Sequence, residues 1–242
     1  MSLLVLMSVF VFGTLNDADT PAERGLVYAG PNFDITAAKV TYHAEWELLV
    51  FELSVKGEAG ATIPKPAGGM DGAPVLGYVF PTNLRSEDVG FGKAEGVVAL
   101  AVTAHPDFDD TPLWDEDNNR DYKDDGAIFH THWVVLQPDE RVPGKLAAAQ
   151  IEKSEMVSML PPTNPGMPML MDSPGLTVVQ DGKTLRVLVP AWRMNRKLGF
   201  NFDAVTAYME VSPSADTPLL GVYAVYSVLS GDLSLPYTVK HK

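Results

Sequence analysis

The chain of 242 residues contains no cysteine, which excludes disulfide bonds, thiol catalysis and metal sites built from thiolates. Basic residues are also scarce, because 18 lysines and arginines stand against 31 aspartates and glutamates, for a net charge of −13. Such an acidic surface repels phosphate backbones and argues against nucleic-acid binding, whereas it favours metal ions as partners. No apolar run is long enough to predict a stable membrane span. The composition leaves the oligomeric state open.

The N-terminal segment, residues 1–20, begins with the apolar run MSLLVLMSVFVFGTL. It resembles the apolar part of a secretory signal, but the basic start and the A-x-A cleavage site are missing. Both alternating faces of residues 5–12 are apolar, which is typical of a buried strand. Two interpretations therefore stay open, a first strand and the remnant of a leader.

Strand patterns dominate the rest of the chain, and glycine- and proline-rich loops separate them. Residues 145–160 could form a strand followed by a short helix, but their periodicity does not decide this. The predicted strands cover residues 35–43, 48–57, 73–82, 96–105, 127–137, 176–191 (a hairpin that turns at Asp181-Gly182), 203–212 and 219–231.

This organisation predicts an all-β protein with one domain over residues 1–242. About nine strands with long loops favour an antiparallel β-sandwich. A closed β-barrel is the alternative.

An acidic loop insertion, residues 105–126, reads HPDFDDTPLWDEDNNRDYKDDG and holds eight aspartates and one glutamate. Its centre presents oxygen-bearing side chains at every second residue, and calcium accepts six to eight such oxygen ligands. We therefore expect calcium to be bound here. The predicted ligands are Asp115, Asp117, Asn119 and Asp121, with Asp125 or Asp124 closing the shell.

The acidic loop is not an EF-hand. The sixth position of the pattern holds Arg120 instead of glycine, the twelfth holds Gly126 instead of glutamate, and no helices are predicted on either side. It resembles the acidic calcium-binding loops inserted into exported β-proteins. A solvated acidic turn is the alternative interpretation.

Two histidines, His130 and His132, lie on one face of the predicted strand 127–137. Their neighbours on that face are aliphatic, so their ring nitrogens need partners. Two imidazoles on one side of a strand suit zinc, copper or iron. The alternative is a hydrogen-bonded pair with a structural role.

His105 is the preferred third ligand, because it ends strand 96–105 and an antiparallel pairing would bring it to the start of strand 127–137. His43 is a weaker choice. The carboxylates considered for the same site are Asp107, Asp109 and Glu210.

A methionine-rich stretch, residues 156–171, contains Met156, Met159, Met167, Met169 and Met171. Thioethers select Cu(I), and the stretch resembles methionine-rich loops of exported copper-handling proteins. Methionines that fill gaps in the core are the simpler interpretation.

These patterns predict an exported bacterial metal-binding protein, periplasmic or secreted, with a calcium-stabilised loop and a histidine site for copper, slightly ahead of zinc. A metal-dependent enzyme using the same histidines is the first alternative, so enzymatic activity stays undecided. The second alternative is a calcium-stabilised carbohydrate-binding module, in which exposed aromatics such as Trp46 and Trp114 would stack on sugars. A small molecule or a carbohydrate is thus a possible partner besides metal ions.

Overall fold

The computed structural model describes residues 20–111, 113–121 and 124–242. It is all-β, with 39% strand and 11% helix, and this confirms the predicted class. The predicted first strand, or leader remnant, lies outside the described residues. The strands, in chain order, are β1 (Ile35–His43), β2 (Leu48–Val55), β3 (Ala73–Pro81), β4 (Val97–Ala104), β5 (His130–Pro138), β6 (Leu146–Ala148), β7 (Met171–Asp172), β8 (Thr177–Asp181), β9 (Thr184–Pro190), β10 (Asn201–Phe202), β11 (Val205–Val211), β12 (Leu220–Val228), β13 (Tyr237–Thr238) and β14 (Lys240–His241).

Six strands form a closed barrel in the order β4-β3-β11-β12-β6-β5, and β4 closes the ring by pairing with β5. The pairings around the ring are antiparallel. The short strand β7 adds to β5 outside the ring. The closed barrel, which was the alternative to a sandwich, therefore describes this part of the fold.

A second sheet, in the order β14-β1-β2-β9-β8, packs against the outer face of the barrel. The main hydrophobic core lies between the two, where Phe51 of β2 makes edge-to-face contacts with Phe80 of β3 and Trp133 of β5. Aromatic contacts of this kind add to the stabilisation from buried apolar area. The stacking of this sheet on the barrel gives the molecule the two layers of a sandwich.

A smaller apolar cluster lines the barrel interior. Along β4, Leu100 and Val102 face the main core, whereas Ala99 and Ala101 belong to the interior cluster. Because side chains alternate along a strand, β3 and β4 are buried on both faces. This explains why their sequences are apolar almost throughout.

Each predicted strand is present, although β5 begins only at His130, after a 3₁₀ turn (Asp125–Ala127). Residues 145–160 contain β6 followed by a helix, α2 (Met156–Met159). One helix of six residues, α1 (Pro21–Leu26), was not predicted. The sequence does indicate where this helix begins, because Thr20 and Glu23 form a capping box and Pro21 occupies the first turn. Among the described residues, no helix has both the length and the apolar character needed to cross a membrane.

Candidate metal centre

Three histidines and one aspartate meet at one end of the barrel interior. β4 ends at Ala104, so His105 follows it directly, and β5 begins at His130. The antiparallel register sets His130 opposite Thr103 and His132 opposite Ala101. The predicted pairing of these two strands is therefore confirmed, and it brings His105 to the two histidines of β5.

Asp110, in the acidic loop, supplies the carboxylate of this group. The four side chains each offer one donor atom, and these atoms all lie within 4.8 Å of one another. The side chains are only 1–4% exposed. The structure thus shows a buried group that could hold a metal ion: His105, Asp110, His130 and His132.

The donor atoms are spaced as ligands of one ion would be. The Nε2 atoms of His105 and His130 lie 3.0 Å apart. Their distances to Asp110 Oδ1 are 3.3 Å for His105 and 3.0 Å for His130. His132 Nε2 lies 3.6 Å from Asp110 Oδ2. A tetrahedral zinc ion with bonds of 2.0–2.1 Å separates its ligands by about 3.3 Å. The separations among His105, His130 and Asp110 are therefore already close to those around such an ion.

Backbone carbonyls fix the protons on two of the imidazoles. His105 Nδ1 lies 3.0 Å from the Phe108 carbonyl, and His130 Nδ1 lies 2.7 Å from the Ile128 carbonyl. A carbonyl oxygen only accepts hydrogen bonds, so each Nδ1 carries the hydrogen. The Nε2 of each neutral ring then keeps its lone pair for a metal.

Ser173 fixes the third imidazole in the same tautomer. Its hydroxyl donates to the Asp110 carbonyl at 2.6 Å and lies 3.2 Å from His132 Nδ1. Because the single hydroxyl hydrogen is used on the carbonyl, Nδ1 of His132 donates to the serine oxygen. Metal-ligating histidines commonly donate their second N–H to such a partner.

His132 Nε2 is buried and finds no hydrogen-bond partner among the described residues. Burial lowers the pKa of His132 to about 3, and the neighbouring histidines add to the decrease. The ring is therefore neutral at ordinary pH, with an unshared electron pair aimed into the group. A buried polar atom without a partner is costly, and a metal bound there would remove the cost.

Asp110 and His130 are shifted toward their charged forms. Burial opposes the charge on Asp110, but the surrounding histidines hold the pKa of its carboxyl well below the usual range. Burial likewise opposes the charge on His130, yet the hydrogen bond to Asp110 raises the pKa of His130 above its ordinary value. In the metal-free group, an anionic Asp110 carboxylate therefore lies beside His130, whose protonated form it favours.

The other residues considered for the histidine site lie elsewhere. Asp107 accepts from the backbone of Ala67 and Gly68, and Asp109 accepts from Thr111. Glu210 bonds Arg24 on the face of β11 that points away from the interior cluster. His43 stacks on Trp46 at the end of β1, in the second sheet.

The acidic loop brings three of its five predicted calcium ligands together, namely Asp115, Asp117 and Asp125. Asp125 is fully buried, and its Oδ2 has no hydrogen-bond partner in the described part of the chain. Burial raises the pKa of Asp125, and nearby carboxylates add to the increase. A cation would relieve both the burial penalty and the repulsion.

The remaining predicted ligands of this loop lie outside that group. The Asn119 side chain donates to Asp117 and Asp124, so its amide nitrogen faces the carboxylates. Asp121 donates its backbone N–H to the Asn119 side-chain oxygen. The alternating oxygen pattern is therefore used partly for turns within the loop.

Glu116 connects the two groups. Its backbone N–H donates to Asp125 at 3.0 Å, and its Oε2 accepts from Thr111, the residue after Asp110. Its Oε1 is buried without a partner among the described residues. Burial raises the pKa of Glu116, and the charge of His130 opposes the increase.

Gly126 explains a departure of the loop from the EF-hand pattern. Its carbonyl accepts from the backbone N–H of His105 at 2.7 Å. A Cβ at this position would lie 2.6 Å from the His105 carbonyl and closer still to that of Phe108. The twelfth position of the pattern therefore packs against the histidine site and has no room for a glutamate side chain.

The methionine-rich stretch divides between the two cores. Met156 and Met159 pack against the main core, whereas Met167, Met169 and Met171 belong to the interior cluster. Met167 and Met171 also line a cavity inside the barrel.

A cavity of about 140 Å³ runs inside the barrel beside the metal group. His105, Asp110 and His132 line one part of it, and the rest is almost wholly apolar.

Comparison with known proteins gives no match: no protein family, no curated protein and no solved structure is significantly similar to this chain. The site's chemistry alone therefore supports the functional argument.

Proposed function

We propose that the protein binds a divalent transition-metal ion through His105, Asp110, His130 and His132. One observation carries the proposal: three Nε2 atoms and one carboxylate converge in a buried space, and the three Nδ1 atoms donate to other partners. Three nitrogen donors and one hard oxygen donor suit zinc or Cu(II) better than Cu(I), which prefers thioethers. The spacing of His105, His130 and Asp110 fits a tetrahedral ion, whereas Cu(II) prefers a tetragonal arrangement, so we place zinc ahead of copper.

The test is elemental analysis by mass spectrometry on protein purified without a metal-affinity column or chelator. We expect a near-stoichiometric transition metal in the parent and none in the double variant His130→Ala, His132→Ala. His43→Ala with His241→Ala is the matched control, because these two histidines belong to the second sheet. Equal metal in the parent and the first double variant would refute the proposal.

A metal-dependent enzyme is the second candidate function. It is favoured by the cavity, which three of the four donor residues line, so an exogenous ligand or water has a path to the ion. Catalytic metal sites keep such a position open. Water exchange measured by relaxation of Mn(II)-loaded protein would separate the two candidates, since a closed site shows no exchangeable inner-sphere water.

We also propose calcium for Asp115, Asp117 and Asp125. The Oδ2 atom of Asp125 is buried without a hydrogen-bond partner among the described residues, and this supports a bound cation. Carboxylates that only face solvent would not place an oxygen in such a position. Calcium sites of modest affinity are saturated outside the cell. An extracytoplasmic location remains our expectation for that reason, and fractionation of cells of the source organism tests it.

A carbohydrate-binding role is favoured by one further observation. A separate cleft of about 350 Å³ is lined by Trp192, Arg193 and Asp172, among others, and Trp192 is 61% exposed. An exposed indole beside polar groups is a platform on which sugars stack. Glycan binding by the parent that is lost in Trp192→Ala, and kept in Trp46→Ala, would support this role.

A further inference from the structure

The cavity is a channel along the barrel. Its lining residues on β4 extend from Val97, at the first residue of the strand, to His105 just beyond its end. Eight residues of strand correspond to on the order of 25 Å. The metal group therefore lies at one end of an elongated apolar space.

Small side chains at inward positions create this space. Six-stranded barrels are narrow, and side chains normally fill the interior of even an eight-stranded barrel. Here Ala101 of β4 and Ala207 of β11 line the channel. Larger residues at these positions would fill it and would add buried apolar contacts. Their absence leaves a space that a ligand can occupy.

Exposed apolar side chains stand at the other end. Val97, Val225 and Leu233 line the channel and are 37%, 46% and 39% exposed. They give an apolar ligand a point of entry. Polar molecules gain nothing from such a lining, because they lose hydrogen bonds to water without replacement.

The channel meets the metal group on one side only. His105, Asp110 and His132 line it, whereas His130 does not. A divalent ion held by one carboxylate and neutral imidazoles keeps one net positive charge in apolar surroundings. A monoanionic oxygen donor would neutralise that charge.

We propose that the channel binds a small monocarboxylate, with its apolar tail among the barrel side chains and its carboxylate on the metal ion. This inference rests on the proposed metal site, to which the ligand carboxylate would add a fifth donor. The volume sets the tail at about six carbons, since an apolar cavity of about 150 Å³ accommodates benzene. The channel thus assigns a ligand class to the metal centre.

The test uses protein loaded with Co(II), whose visible absorption changes when a further ligand binds. The protein is titrated with acetate, butyrate and hexanoate. Each added methylene that is buried should tighten binding about fourfold. Cobalt binding with no gain from acetate to hexanoate would overturn the channel proposal and leave the metal site standing. Protein that binds no cobalt would overturn both.

Two variants locate the tail. Ala207→Leu fills the channel, and Val225→Glu puts a charge at its exposed end, where folding is less at risk. Each should keep cobalt and lose at least tenfold in hexanoate affinity, while acetate affinity changes less. Val157→Leu is the control, because Val157 is 97% exposed. Unchanged hexanoate binding in both channel variants would place the tail elsewhere and overturn the proposal.

Discussion

The Nε2 atoms of His105 and His130 lie 3.0 Å apart, and the second nitrogen of each ring donates to a backbone carbonyl. Two neutral rings would therefore direct lone pairs at each other. A proton or a metal ion must lie between them for the arrangement to be stable. The backbone thus prepares these two rings for a cation.

Asp110→Asn should lower the affinity for zinc by at least ~100-fold. It removes an anionic ligand, and even the loss of an outer-shell partner costs 10–100-fold. Asp109→Asn is the control, because Asp109 bonds Thr111 and lies outside the donor group. Competition with a chromophoric chelator measures both. Similar affinities for the two variants would exclude Asp110 as a ligand.

Ser173→Ala should weaken zinc binding by roughly 10–100-fold while the metal ligands stay in place. The variant removes the acceptor that holds His132 with its hydrogen on Nδ1. The same chelator competition applies, with Ser212→Ala as the control, because Ser212 bonds Asp71 and Thr217. A Ser173→Ala protein with the parent's zinc affinity would show that the serine does not orient the ring.

Zinc affinity should fall as the pH is lowered through the raised pKa of His130. Below that pKa the metal must displace a proton that the metal-free site holds, whereas above it no such proton remains. His132, with a pKa of about 3, adds no proton release near neutrality. Calorimetry in buffers of different ionisation enthalpy counts the protons. Binding without proton release at pH 6 would contradict this expectation.

Calcium should raise the melting temperature of the parent and not that of Asp115→Asn with Asp117→Asn. At about 100 times the dissociation constant, a ligand adds roughly 2.7 kcal/mol to the free energy of unfolding. Scanning calorimetry in calcium and in chelator measures the difference, with Asp216→Asn as the control. An equal decrease in both conditions would mean that the two aspartates stabilise the loop without calcium.

Much of the fold could be predicted because period-two alternation marks the strands. The closure of the barrel could not. The strands β3 and β4 are apolar on both faces, and such a pattern fits the centre of a sandwich as well as a barrel wall under a second sheet. The deciding fact is the pairing of β4 with both β3 and β5, which alternation does not encode.

The histidines of the site were predictable, whereas their partners were not. His105, His130 and His132 follow from strand ends and alternation. Asp110 has two aspartates within three residues before it, and only the path of the loop decides which one reaches the histidines. Ser173 follows β7, a strand of two residues. A strand this short has no periodic pattern, so the sequence could not show that Ser173 lies beside His132.

The four donor residues lie in one continuous segment, from His105 to His132, formed by the end of β4, the acidic loop and the start of β5. Contacts between residues near in sequence form early in folding, since little chain entropy is lost in closing the loop. An ion can therefore be captured by this hairpin before the barrel closes. The orientation of His132 depends on a residue outside this segment, because Ser173 is held beside the ring by the pairing of β7 with β5.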